Sequence, residues 1–285
     1  MTTTTFEHDR IIKYYEKSWY DYRGVWMDKR NRAMHYGFWD ERTRNHSDSL
    51  LRMNQELAAH AQITRGTRIL DAGCGVGGSS MWLAETFGAQ VVGITLCSFQ
   101  VDKARRYAAE RGLSELLTFE VSDFCDTGFA ADSFDFVWAQ ESVCYARDKA
   151  DFLRESHRLL RPGGRIAVED GFRTSRDLPE NAETLLMDWA DAWAFPDLDT
   201  FDEFRTAAES VGFQDVAIRD IREQTLRSAR RLHRAARVFR GPSHLITAAG
   251  WRAPEAHRNL IGASLQWPIL RQGLGTIALV SARKQ

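Results

Sequence analysis

The sequence predicts an α/β fold, a mostly parallel sheet with helices on both faces and further helical segments that cap it. Three observations carry that expectation. Short apolar runs alternate with helix-length segments between residues 68 and 170, and this alternation calls for parallel strands joined by right-handed crossovers. The first run, Arg68-Ile-Leu-Asp-Ala72, ends in an acid and turns at once through glycines into the next helix, a junction where a backbone can approach a ligand closely. A length of 285 residues with 44% hydrophobic content is enough for one large domain with a cap.

Residues 8–60 are polar and aromatic-rich, with Tyr14, Tyr15, Trp19, Tyr20, Tyr22, Trp26 and Tyr36 interleaved among charges, and are expected to be helical. Strand 68–72, helix 79–87, strand 90–94 and helix 98–112 follow. Strands 117–121 and 134–139 precede helix 149–160 and strand 164–169. Helices near 180–193 and 200–211 lead to a strand near 214–221, and the apolar run Thr276–Ala282 reads as the last strand. Residues 223–272 lie between those two strands and are far more than a hairpin needs; segments this long carry function or structure of their own. The expected organisation is an N-terminal helical cap over 1–60, a core over 61–222 and 273–285, and a helical lid over 223–272.

Gly73, Gly75 and Gly78 satisfy G-x-G-x-x-G, which raises a dinucleotide site. Such a site also wants an acid roughly 20 residues on to hold a ribose. Here Gln90-Val-Val-Gly-Ile94 runs instead into Thr95, Leu96 and Cys97. The wider pattern is Asp71 with the glycines, Val121-Ser-Asp-Phe124, Ser133–Glu141 and Leu160–Glu169. In that order it resembles the class I S-adenosylmethionine-dependent methyltransferases, from about Arg68 to Asp170. The resemblance implies a Rossmann-like sheet whose last strand inserts antiparallel beside the one before it.

It also implies site residues. The amides of Gly73, Gly75 and Gly78 would face the methionine carboxylate at a helix N-terminus, which favours an anion. Asp71 would accept from the donor's ammonium or order the loop. Gly93-Ile-Thr-Leu-Cys-Ser-Phe-Gln100 departs from the family's usual acid and is similar to the segment of tocopherol-type and cyclopropane-synthase-like members. By that likeness Thr95 and Gln100 meet ribose or carboxylate, and both can donate and accept. Asp123 would accept from the adenine amino group with Phe124 as ring neighbour, while Gln140 and Glu141 stand where the transferred methyl should lie. Tyr14–Trp26 and Met34-His-Tyr-Gly-Phe-Trp39 look like the entry region of small-molecule members acting on sterols, tocopherols, prenyl diphosphates and natural products. Tyr20 and Tyr36 are the candidates for closing over the sulfonium, since an aromatic face attracts a cation.

Two clues bear on the acceptor. Glu141-Ser-Val-Cys-Tyr145 is similar to the Glu-Ser-x-x-Tyr segment of geranyl diphosphate C-methyltransferase, which implies that Glu141 stabilises a cation and then removes its proton. From Arg222 to Arg240 seven arginines stand with His233 against Glu223 alone, and guanidinium forks suit phosphate oxygens. Together they predict C-methylation of an isoprenoid double bond, on isopentenyl or another short prenyl diphosphate. Tyr20, Tyr36, Trp39, Glu141 and Tyr145 would surround the reacting carbon, and Arg230, His233 and Arg234 would meet phosphate. A diphosphate would bring Mg²⁺ with it, although the chain has no dedicated metal triad. The rival within the family is an O- or N-methyltransferase of a sugar, phenol or indole-type product, with His35 or His157 as base. Outside it stand a non-catalytic S-adenosylmethionine-binding interaction protein and a nicotinamide oxidoreductase.

A net charge of −1 gives no global attraction to nucleic acid or membrane. The four cysteines, Cys74, Cys97, Cys125 and Cys144, have neither disulfide nor zinc spacing, and the N-terminus has no signal or transit character. The expected setting is therefore cytoplasmic, with a small-molecule acceptor and no nucleic-acid or membrane partner. The aromatic N-terminus and the long lid could also form a homo-oligomer contact.

Overall fold

The computed structural model describes residues 3–28 and 30–285; residues 1, 2 and 29 of the expected cap lie outside the described residues. The chain opens with α1 (Thr3–Asp21), continues into a π-helical turn at Tyr22–Trp26, and reaches α2 (His46–Ala61). The expected continuous helicity of 8–60 is thus broken: residues 30–45 run without regular structure, and their backbone returns through Phe38 and Trp39 to α2 and the C-terminal helices. Asn45 starts α2 by accepting from the Asp48 amide, which satisfies one of the free N–H groups of its first turn.

The core alternates as its apolar runs predict: β1 (Arg68–Ala72), α3 (Gly78–Phe87), β2 (Gln90–Thr95), α4 (Ser98–Glu110), β3 (Leu117–Val121), β4 (Phe134–Gln140), α5 (Lys149–Leu159), β5 (Leu160–Arg173). Then come α6 (Glu180–Ala192), α7 (Phe201–Val211), β6 (Phe213–Asp220), α8 (Arg222–Ala248), α9 (Pro254–Gln272) and β7 (Gly275–Lys284). Residues 223–272 therefore hold two long helices. β5 is much longer than the expected 164–169 because it pairs along its length with β7, from Arg165–Arg283 to Arg173–Gly275.

The sheet order is β3-β2-β1-β4-β5-β7-β6. The first five strands are parallel, while β7 lies antiparallel between β5 and β6. One face is covered by α2, α3, α4 and the helices α6, α8 and α9; the other buries Phe152 and Leu153 of α5 with Phe204 and Ala208 of α7. Buried aliphatic strand residues such as Ile69, Val137, Ile166 and Leu279 fill both layers, as a doubly covered parallel sheet requires. The strand order reverses between β1 and β4, so the crevice beyond their carboxyl ends is where such a sheet receives a ligand. Among the described residues no helix is long and apolar enough to cross a membrane.

Candidate active site

Three connected hollows occupy that crevice. The first is bounded by Asp71, Gly73, Gly75, Gly78, Ser79, Gln140 and the segment Arg32–His35. The second, about 570 Å³, is lined by Gly73, Gly75, Thr95, Leu96, Cys97, Gln100, Phe124 and Gln140. The third, about 500 Å³, is walled mainly by aromatic side chains, among them Tyr22, Trp26, Tyr36, Trp189, Trp193 and Phe195. Met34 borders all three, and Tyr15, Glu141 and Tyr145 form the partition between the second and third.

Gly73 and Gly75 take positive φ, 87° and 52°, so the turn after β1 bends where a side chain would strain. A Cβ on Gly73 would meet Ser142 at 2.3 Å, so the loop packs tightly against the chain leaving β4. Asp71 sits beneath it, almost wholly buried, accepting from the Ser80 hydroxyl in the first turn of α3. Burial pushes its carboxyl up to about 7, against the Ser80 hydrogen bonds. This favours the loop-ordering alternative expected for Asp71.

Thr95 and Gln100 are both buried at the second hollow, and the Thr95 hydroxyl donates to Gln100 Oε1 at 2.7 Å. Phe124 lies on the same wall, edge-on to Phe152. Asp123 stands beside it, accepting from the Cys125 amide at 2.8 Å and lying 3.3 Å from His8 Nε2, so α1 reaches over this end of the crevice. Gln140 Oε1 accepts from Ser79 at 2.7 Å, but its Nε2 is buried without a partner among the described residues. A free buried donor beside the glycine turn is the kind of group a polar ligand completes.

Glu141 has φ of 49°, a left-handed conformation that turns its side chain out of β4 and into the partition. Its amide donates to the Glu169 carbonyl at 2.7 Å, and its carboxylate accepts from the Tyr36 amide. The Tyr36 hydroxyl donates to Gln266 of α9, while Tyr15 and Tyr145 are joined through their hydroxyls at 3.0 Å. Burial pushes Glu141 well above the usual carboxylate range; the Tyr36 amide opposes this and Asp170 adds to it.

Two further acids were missed. Asp170 lines the third hollow and accepts from the Gly171 amide at 2.7 Å and the Cys144 amide at 3.0 Å. Glu169 is fully buried, and neither carboxyl oxygen has a hydrogen-bond partner among the described residues. Burial, then Glu141 and Asp170, drive its carboxyl upward; the facing Gln140 amide softens this without closing a hydrogen bond. The only signal in the sequence was their place, directly after the apolar run Ile166–Val168 at the end of a core strand. His35 is also more than a loop residue, with Nδ1 at 2.8 Å from the Tyr36 carbonyl and Nε2 buried and unpartnered. Burial holds it neutral, with its titration lowered to about 4. His157 instead packs edge-on to Phe213, away from the crevice.

Several expected residues do not join the site. Tyr20 is 77% exposed on the outer side of α1, since the helix turns Tyr14 and Trp19 inward instead. Trp39 is held away from the crevice: its Nε1 donates to Ser228 at 2.9 Å and Arg227 stacks on its ring. Arg230 and Arg234 are exposed on α8, with Arg230 over Trp267, because Ala229, Leu232 and Ala236 are the face that packs inward. His233 Nδ1 is within 2.6 Å of the Ser264 carbonyl and braces α8 against α9. None of these residues lines the three hollows.

A model of the family described as "Methyltransferase domain" matches residues 70–168. The chain is 30% identical over 281 residues to the protein named "Probable tocopherol O-methyltransferase, chloroplastic" of Oryza sativa subsp. japonica, covering 92% of this chain and 75% of that protein. It is 31% identical over 194 residues to Methyltransferase GfsG of Streptomyces halstedii, covering 67% and 69%. Geranyl diphosphate C-methyltransferase from Streptomyces coelicolor A3(2), solved with Mg²⁺, geranyl diphosphate and S-adenosyl-L-homocysteine, superimposes with a TM-score of 0.74 at 21% identity, covering 98% of each chain. At that identity the likeness speaks for the fold.

Proposed function

The chain belongs to the class I S-adenosylmethionine-dependent methyltransferases, and we propose that it methylates a carbon of a small apolar acceptor, with an isoprenoid double bond the best chemical fit. The observation that carries this reading is the lining of the third hollow. Aromatic side chains dominate it, Glu141 and Asp170 are its acids, and no Lys, Arg or His borders it among the described residues. Such a chamber suits an uncharged acceptor that becomes positive as it reacts, because ring faces and carboxylates both favour a cation.

The residues of the other two hollows fit the donor. We assign the turn at Gly73 and Gly75, with the unpartnered Gln140 Nε2, to its amino-acid end, and Thr95, Gln100 and Phe124 to its nucleoside. Asp123 keeps its proposed role at adenine, reached from beside Phe124. When bound, the donor supplies an electrophilic methyl group on a positively charged sulfur. Around it the chain's own groups orient and shield: Tyr15, Met34, Tyr36 and Tyr145 exclude water from the partition. Glu141 is the group assigned to hold the acceptor's developing charge and then take its proton at a carboxyl oxygen. A neighbouring cation favours its charged form, against the burial that pushes its carboxyl upward.

A diphosphate on the acceptor would extend outside this chamber, since Arg230, His233 and Arg234 do not border it. Mg²⁺ would then accompany the diphosphate as part of the substrate. No group of three His, Cys, Asp or Glu among the described residues could hold it. An acceptor without phosphate is the simpler reading. The test is incubation with labelled donor and matched prenyl alcohols, prenyl diphosphates and phenols, followed by mass spectrometry and NMR of the product. A new C–CH₃ on an alkene supports the proposal; methylation only at oxygen overturns it.

O-methylation of a phenol has its own support in the rice relative's name and in the Tyr15–Tyr145 hydroxyl pair beside Glu141. The same product analysis separates the two, because the methyl protons and carbon attached to oxygen resonate far from those on carbon.

A further inference from the structure

The arginine run that does not reach the crevice has another setting. Eight large apolar side chains stay exposed among the described residues, and five of them fall between residues 238 and 251: Val238, Phe239, Leu245, Ile246 and Trp251. They are not scattered. On a helix of 3.6 residues per turn, Val238, Pro242, Leu245 and Ala249 follow one line, and Phe239 and Ile246 run beside it. Trp251 is 87% exposed, and its amide donates to the Ile246 carbonyl at 3.0 Å, which sets the indole at the end of the same stripe. Along one flank lie Arg230, Arg234, Arg237 and His244, exposed on the helix surface. No Asp or Glu occurs between Glu223 and Glu255. The net charge of −1 conceals this local excess.

We infer that the C-terminal half of α8, with Trp251, is a docking surface for an anionic lipid bilayer. An outward apolar stripe flanked by arginines is what lies in a headgroup layer: the aliphatic and aromatic groups enter the acyl boundary while the guanidinium groups meet phosphates. An indole is well suited to that boundary, with an apolar body and one N–H donor. Two other occupants fit less well. A second copy related by two-fold symmetry would bring arginines against arginines. A nucleic acid would satisfy the arginines but leave the stripe in water. The opposite side of α8 packs through Ala229, Leu232 and Ala236 and is braced to α9 through His233 and Ser264. α9 in turn reaches the Tyr36 hydroxyl through Gln266. Docking would therefore set the aromatic chamber above a reservoir of apolar molecules, although the surface does not depend on which acceptor is methylated.

Flotation of the full chain with vesicles tests it, using phosphatidylcholine alone and phosphatidylcholine mixed with phosphatidylglycerol. Binding is expected only to the anionic vesicles and should be released by high salt. Leu245→Ser with Trp251→Ser should lower the bound fraction at least about tenfold, and so should Arg237→Gln with Arg240→Gln. Donor binding should stay unchanged in both double variants, which separates this surface from the crevice. The inference is overturned if the wild type floats with neither vesicle, or if the variants float as well as the wild type. It is also overturned if sedimentation reveals a lipid-independent dimer that the same substitutions dissolve.

Discussion

The main-chain N–H of Tyr36 ends on the carboxylate of Glu141, tying the irregular N-terminal segment to the acid at the tip of β4. The same tyrosine reaches α9 through its hydroxyl and Gln266. One residue therefore links the entry segment, the sheet and the C-terminal helices around the partition between the two larger hollows. A buried carboxylate with a backbone donor has a fixed orientation, and orientation is much of what methyl transfer asks of a protein.

Glu141→Gln should retain the fold, because the amide oxygen can still accept from Tyr36. Its turnover should fall by about a hundredfold or more, the usual range for loss of a proton-accepting group. Circular dichroism and donor titration would show both properties intact. Turnover equal to wild type would remove Glu141 from the chemistry and leave it as a loop anchor.

Thr95→Val should weaken donor binding by roughly tenfold, since it strips the buried Gln100 Oε1 of its 2.7 Å partner and removes a hydroxyl from the second hollow. Calorimetry with S-adenosylhomocysteine measures it directly. An unchanged affinity would mean that the pair serves only to pack the start of α4.

Much of the fold was legible in the sequence. The alternating runs gave the strands of the core because each is buried on both faces, where apolar sequence and strand coincide. The placement of Asp71, Gly73, Gly75, Thr95 and Gln100 at the crevice was readable because a short loop at a strand end has little freedom in where it points. Long-range packing was not readable. The arginines of α8 formed a face in the sequence, but only the inward packing of Ala229 and Leu232 fixes that face toward solvent. The placement of Tyr20 and Trp39 away from the crevice was hidden for the same reason: aromatic residues in a cap can turn either way, and tertiary contacts decide. Glu169 was hidden by a charge that sequence reading assigns to water.

The empty protein should lose stability as pH rises through neutrality. Asp71 is raised from 3.8 to about 7, and Glu141, Glu169 and Asp170 are raised as well, all chiefly by burial. The folded state thus keeps protons that the unfolded chain has released. Their stabilising effect is full below the unfolded values and is lost as pH climbs through the folded ones. Glu203, lowered to about 2 by Arg176, acts in the opposite sense in acid, and His35, lowered from 6.5 to about 4 by burial, does so up to about pH 6.5, so the effect of the carboxyls is read above that value. Thermal unfolding followed from about pH 6.5 to about pH 8 should show a falling Tm, flatter in Asp71→Asn. A cationic donor analogue should raise Tm more at the upper end than S-adenosylhomocysteine does, because a cation favours the ionised acids. A flat profile in the wild type would contradict the burial of these carboxyls.

Two glycines of the turn should respond differently to alanine. A Cβ on Gly78 would lie 2.7 Å from the carbonyl oxygens of both Asn31 and Arg32, main-chain atoms that cannot swing aside. The segment leading to Met34 and Tyr36 would have to lift from α3. At Gly75 the nearest atom is the sulfur of Met34 at 3.6 Å, so the obstacle there is the positive φ of 52° rather than space. Gly78→Ala should cost about 2–3 kcal/mol in urea unfolding, as overpacking does, and Gly75→Ala about 1 kcal/mol. Because the displaced segment carries the amide that holds Glu141, Gly78→Ala should also lower turnover, an effect Gly75→Ala would have only through donor affinity. Equal losses of stability in the two variants would show that the 31–32 carbonyls do not press on the start of α3, and with it that Tyr36 is positioned from elsewhere.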